Sequence, residues 1–130
     1  MIADTTFIID IMRNDPQAIK KAQEIEQKNT PLIITAPTVF ELSVGIALSK
    51  KPQQEKASIH EVLESLPFQP LDYESSQEAG QIYGDKQKAG EMIDPQDAMI
   101  AGIAKINREI VLTRNQRHFQ GIQGVTTETY

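Results

Sequence analysis

The stretch "DPQDAMIAGIAKINREIVLTRN", Asp94 to Asn115, decides the fold. Its first half reads as a helix. Asp94 is a candidate N-cap, and Pro95 has the fixed φ that suits a first helical position. Asp97 falls in the first turn, where an acid favours the positive helix end by roughly 0.3–1 kcal/mol. Ala98, Ala101, Gly102 and Ala104 are small enough to let this helix approach a sheet closely. The second half sets Ile110, Val111 and Leu112 in an unbroken apolar row, which suits a short strand buried on both faces. A helix feeding a doubly buried strand is the unit from which α/β folds with parallel sheets are built.

The same alternation continues outward in both directions. "MIADTTFIIDIM" gives a strand ending near Asp4, then a helical turn through Phe7, Ile8 and Ile11. "NDPQAIKKAQEIEQK" places Asp15-Pro16 as N-cap and first helical residue. "TPLIITA" carries the run Leu32, Ile33, Ile34, a second buried strand. "APTVFELSVGIALSK" is helical, with Val39, Leu42, Ile46 and Phe40 expected inward, and Thr38 and Glu41 match a capping box. "KPQQEKASIHEVLESL" restarts after Pro52 with Ile59, Val62, Leu63 and Leu66 on one face. "PFQPLD" is a third strand and "YESSQEAGQIYGDKQKAGE" a polar helix. A fifth, edge strand is expected at Val125.

The chain has 130 residues, suited to one domain spanning residues 1–130. It has no Cys, which removes disulfides, thiolate metal sites and a Cys nucleophile. The net charge of −5 argues against broad, sequence-blind adhesion to nucleic acid, though not against nucleic acid reached through bound cations. There is no P-loop, no GxGxxG and no GxSxG, so nucleotide-cofactor and serine-hydrolase readings are poor. The N-terminus lacks a basic and apolar leader, and no apolar run approaches the roughly 20 residues of a membrane helix. A cytoplasmic protein without membrane attachment is expected.

In parallel sheets, sites form beyond the carboxyl ends of the strands. Asp4 follows the first strand, Glu41 and Asp97 lie in first turns of helices, and Asn115 follows the fourth strand. Clustered carboxylates repel unless a divalent cation sits among them, which points to Mg²⁺ or Mn²⁺. Such a cluster can activate water against a phosphodiester. Each residue also has a plainer explanation. Asp4 could cap the helix opened by Thr5 and Thr6, Glu41 could complete its capping box, and Asp94 and Asp97 could simply start their helix. Arg13, Arg114 and Arg117 are candidates for RNA phosphate contacts, with solvated loop as the plain alternative. His118 could titrate near neutrality, but a lone loop histidine is usually incidental.

"MIADTTFII", "TAPTVFELSVGIAL", "DPQDAMIAGIAK" and "IVLTRNQRHFQGI", in this order and spacing, resemble the PIN domain and in particular the VapC-type toxins of toxin–antitoxin pairs. The resemblance covers nearly the whole chain. It implies a three-layer α/β/α sandwich with a mostly parallel central sheet and a Mg²⁺- or Mn²⁺-dependent endoribonuclease. It also implies an antitoxin protein as partner and frequent homodimers. By the resemblance, Asp4, Glu41 and Asp97 fall on the family's acidic, metal-binding positions. Thr6 and Thr113 match frequent hydroxyl positions, as supporting residues. Asn115 stands where many members carry a fourth acid, and here the sequence departs. A PIN-type RNA-processing nuclease that is not a toxin, and a non-catalytic Mg²⁺-binding interaction domain, are the alternatives.

Overall fold

The computed structural model describes residues 1–130. Five two-residue strands alternate with six helices. They are β1 (Ile2–Ala3), α1 (Thr5–Met12), α2 (Pro16–Gln27), β2 (Ile34–Thr35), α3 (Ala36–Leu48) and α4 (Pro52–Leu63). Then come β3 (Phe68–Gln69), α5 (Tyr73–Lys88), α6 (Pro95–Asn107), β4 (Val111–Leu112) and β5 (Thr127–Glu128). A short 3-10 helix, Gln116–Phe119, lies between β4 and β5.

Every strand pairing is parallel. β1 pairs with β4, β4 with β5, and β2 with β3. A bridge between Ile2 and Ile33 joins the two sets, so the order across the sheet is β3-β2-β1-β4-β5. The chain first adds strands on one side of β1 and then, through α5 and α6, on the other. The topological switch point therefore lies between β1 and β4.

The strands divide their side chains between two cores, as a period of two requires. Ile2 and Val111 pack with Ile82, Ile100 and Ile103 beneath α5 and α6. Ala3, Ile34 and Leu112 pack with Phe7, Ile8, Leu42 and Ile59 beneath α1 to α4. Two helical layers on a central sheet are the expected three-layer α/β/α arrangement. Fully burying each of these large aliphatic side chains contributes about 1.5–3 kcal/mol relative to exposure.

Aspartate side chains cap two helices, at Asp15 as expected from sequence and at Asp72, which the sequence reading places in the third strand segment. Asp15 accepts from the Ala18 N–H at 3.0 Å, and Asp72 accepts from the Ser75 N–H at 2.9 Å. In other places the structure corrects the reading. The helix after β2 begins at Ala36 with Pro37 next, so Thr38 lies inside the first turn and forms no capping box with Glu41. Thr38 is instead fully buried and takes a hydrogen bond from Thr5 at 3.0 Å. Phe40 does not turn inward; it is 59% exposed, because the buried face of α3 is set by Leu42. The last strand is Thr127–Glu128 rather than Val125, which packs against the core from the preceding loop. Ala98, Ala101 and Ala104 pack with Ile2 and Val111 of the sheet as expected, but Gly102 has a different part. Gly102 faces α5, where a Cβ would lie 2.7 Å from both the Ser75 carbonyl oxygen and the Ala79 nitrogen. The close approach is helix to helix.

Candidate active site

The ends of β1 and β4 set the site at the switch point. β1 runs straight into Asp4, which is 5% exposed and occupies the N-cap of α1. One carboxylate oxygen accepts from the Thr5 N–H at 2.8 Å. The other accepts from Thr113 Oγ1 at 2.8 Å and Thr6 Oγ1 at 3.2 Å. Thr113 follows β4 directly and is fully buried, and its Oγ1 also accepts from the Asn115 N–H at 3.0 Å. One hydroxyl thus joins the two strand ends.

Asp4, Glu41, Asp94, Asp97, Asn115 and His118 line one open cleft of about 360 Å³, with no hydrophobic side chain in its wall. Asp97 is 9% exposed in the first turn of α6. Burial, and then the charge of Asp4, push its carboxyl up to about 6, against the opposing pull of His118. Glu41 is also pushed above its ordinary value, first by burial and then by the charges of Asp4 and Asp97. Both shifts follow from burial and from the mutual repulsion of gathered acids.

The structure brings the three acids singled out from sequence, with Asn115 and Thr6, to the same cleft. Their oxygen donors suit a hard divalent cation, and their mutual repulsion is what such an ion would relieve. No three of the acids and imidazoles already form a ligand cage. Asp4 has its oxygens turned to three donors, and Asp97 has one oxygen on His118.

Asp94 stands at the N-cap position of α6, yet its side chain makes no cap hydrogen bond. Its carboxylate lines the cleft and adds to the repulsion on Glu41 and Asp97. The sequence reading made it a helix start alone. His118 is the second residue underrated from sequence: its Nδ1 lies 3.0 Å from Asp97 Oδ2. The one local signal was its place three residues beyond Asn115.

The arginines separate. Arg114 is engaged elsewhere, 2.9 Å from Asp15 Oδ2 and 3.4 Å from Asp10 Oδ2, with its guanidinium 4.7 Å from the centre of the Tyr130 ring. The Tyr130 hydroxyl in turn donates to Asp10 at 2.6 Å. Arg13 lines a cleft of about 460 Å³ that shares Glu41 with the acidic one. Arg117 lines a cleft of about 180 Å³ that shares Asp94, Asp97 and His118. No helix is long and apolar enough to cross a membrane.

Comparison with known proteins agrees with this geometry. A family described as the PIN domain matches residues 1–124. The tRNA(fMet)-specific endonuclease VapC of Shigella flexneri is 28% identical over 127 residues, covering 98% of this chain and 95% of the relative. Ribonuclease VapC2 of Haemophilus influenzae is 28% identical over 129 residues, with the same coverage of each chain. Among solved structures, the DNA-bound VapBC of Salmonella typhimurium superposes with a TM-score of 0.88 at 27% identity, covering 98% of this chain and 96% of the other. VapBC-1 of nontypeable Haemophilus influenzae gives 0.86 at 25% identity with the same coverage. The chain belongs to the PIN-domain family.

Proposed function

We propose, from this membership and the site's geometry, that the chain is a divalent-metal-dependent endoribonuclease and the toxin member of a toxin–antitoxin pair. The observation that carries the reading is the cluster of Asp4, Glu41, Asp94 and Asp97 around one polar cleft, with Glu41 and Asp97 held above their ordinary ionisation range. Relatives named as ribonucleases and tRNA endonucleases, and structural neighbours that are VapBC complexes, support the substrate and the partner. Residues 1–130 act as a single PIN-like domain, a cytoplasmic protein that pairs with an antitoxin and with a second copy of itself.

Asp4, Asp97 and Glu41 would hold a Mg²⁺ or Mn²⁺ ion. When bound, the ion supplies Lewis-acid stabilisation of charge on the phosphodiester during attack by water. Asp4 is held still by Thr5, Thr6 and Thr113, so it enters the site oriented. Glu41, half-buried and disfavoured as an anion by its acidic neighbours, completes the set of oxygen donors across the cleft. Arg13 and Arg117, in the clefts on either side, are the candidates for flanking RNA phosphates. Arg114 is withdrawn by its acids, and its part is to brace the end of β4.

Asp97→Asn keeps the size of the side chain and removes its charge. Cleavage of total RNA in Mn²⁺ by this variant should drop at least about 100-fold. Cleavage by the wild type that persists in EDTA would refute metal dependence, and near wild-type cleavage by Asp97→Asn would refute the site. With Asn at 115 the cluster lacks a charge that Asp would add. Asn115→Asp should therefore tighten Mn²⁺ binding in the absence of RNA, as read by calorimetry. Unchanged affinity would remove Asn115 from the site.

A further inference from the structure

We propose that His118 is a positioning residue for the candidate metal site, whose imidazole holds the Asp97 carboxylate in the orientation an incoming divalent cation needs. The inference rests on the metal-nuclease reading above and deepens it.

The argument begins from how each acid is held. Asp4 is fixed by a backbone N–H and two hydroxyls. Asp97 has no such support. Its carboxylate takes no hydrogen bond from a backbone N–H or a hydroxyl, and its one side-chain partner is His118 Nδ1 at 3.0 Å. The Asp97 side chain is 13% exposed, so water has little access to substitute for that partner. When Asp97 is ionised its carboxylate can only accept, and Nδ1 is then the donor of this bond.

The imidazole is 44% exposed, but the turn that carries it is tied down. His118 belongs to the 3-10 turn Gln116–Phe119, whose Phe119 side chain is 2% exposed in the core beneath α5 and α6. The His118 N–H donates to the Asn115 carbonyl at 3.0 Å. The turn that presents His118 is thus anchored on both sides of it. One hydrogen bond leaves the remaining lone pairs of Asp97 free for an ion. Ligating carboxylates are generally held by such outer partners, whose removal lowers metal affinity by about 10–100-fold.

The test titrates metal-free full chain with MnCl₂ by calorimetry at pH 8, comparing wild type, His118→Ala, His118→Gln and His118→Asn. The Asn amide N–H stands where Nδ1 stands in histidine; the Gln amide reaches past it. His118→Ala and His118→Gln should bind Mn²⁺ about 10–100-fold more weakly. His118→Asn should recover most of the loss. RNA cleavage should follow the same split. In His118→Ala the Mn²⁺ concentration for half-maximal rate rises, while the rate at saturating Mn²⁺ stays near wild type. Equal Mn²⁺ affinity in His118→Ala and wild type overturns the proposal alone. Tighter binding in His118→Ala also overturns it, since the imidazole would then be blocking the carboxylate. A wild type that binds no Mn²⁺ overturns the reading beneath it and the proposal together.

Discussion

Asp4 and Asp97 face the same cleft, and the fold treats them in opposite ways. Asp4, 5% exposed, ends a strand, caps a helix and receives three donors from its own chain. Asp97, 9% exposed, sits in a first turn with one imidazole for company. Burial and the charge of Asp4 push its carboxyl up to about 6. One wall of the site is therefore made of interactions that stabilise the fold. The other is made of a charge that the fold tolerates at a cost. Local stability is given up on one side of the candidate site only.

That contrast can be broken most directly at Asp4. Asp4→Ala leaves the buried Thr113 hydroxyl and the Thr5 N–H without their acceptor and removes the cap of α1. Urea unfolding of the metal-free protein should show a loss of about 2–4 kcal/mol. A loss below about 1 kcal/mol would mean that Asp4, too, is strained by its neighbours.

Asp97→Asn should act in the other direction. A carboxyl whose value is raised on folding binds protons more readily in the folded state. Its unfavourable contribution is absent well below the ordinary value of 3.8, grows as pH rises towards about 6, and is full above that. At pH 8 the metal-free Asn variant should gain about 1–3 kcal/mol, and the fall in wild-type stability between pH 4 and 6 should flatten. Thermal unfolding across that range is the check. A variant less stable than wild type at pH 8 would show that the bond to His118 outweighs the repulsion.

The smallest effect is expected at Asp94. Its side chain makes no cap bond, so Asp94→Ala should change stability by no more than about 0.5 kcal/mol. A loss near 2 kcal/mol would restore it as a cap and shift the contrast away from electrostatics.

Much of this was legible from the chain alone because it is local. The apolar runs before Asp4 and Asn115, and the Asp-Pro start before Asp97, fixed which residues lie at strand ends and in first turns. What needed the structure is distant or directional. The donor that joins Asp4 to the end of β4 comes from Thr113, 109 residues away. No local pattern told that Asp94 would occupy a cap position without using it. None told that Arg114 would be taken by Asp10, Asp15 and Tyr130 while Arg117 stayed by the acids. The capping box at Thr38 and Glu41 failed because Pro37 moves the helix start upstream, so that the hydroxyl is buried against Thr5 instead.

Gly102 gives the acidic cleft its depth gauge. The distance between α6 and α5 is set by a methyl group that is missing, since a Cβ there would collide with backbone that cannot swing aside. How far Asp97 reaches into the cleft is thus calibrated from the back of its own helix, at a position that touches neither the cleft nor its acids. A single added carbon would push α6 off its seat and carry the carboxylate with it.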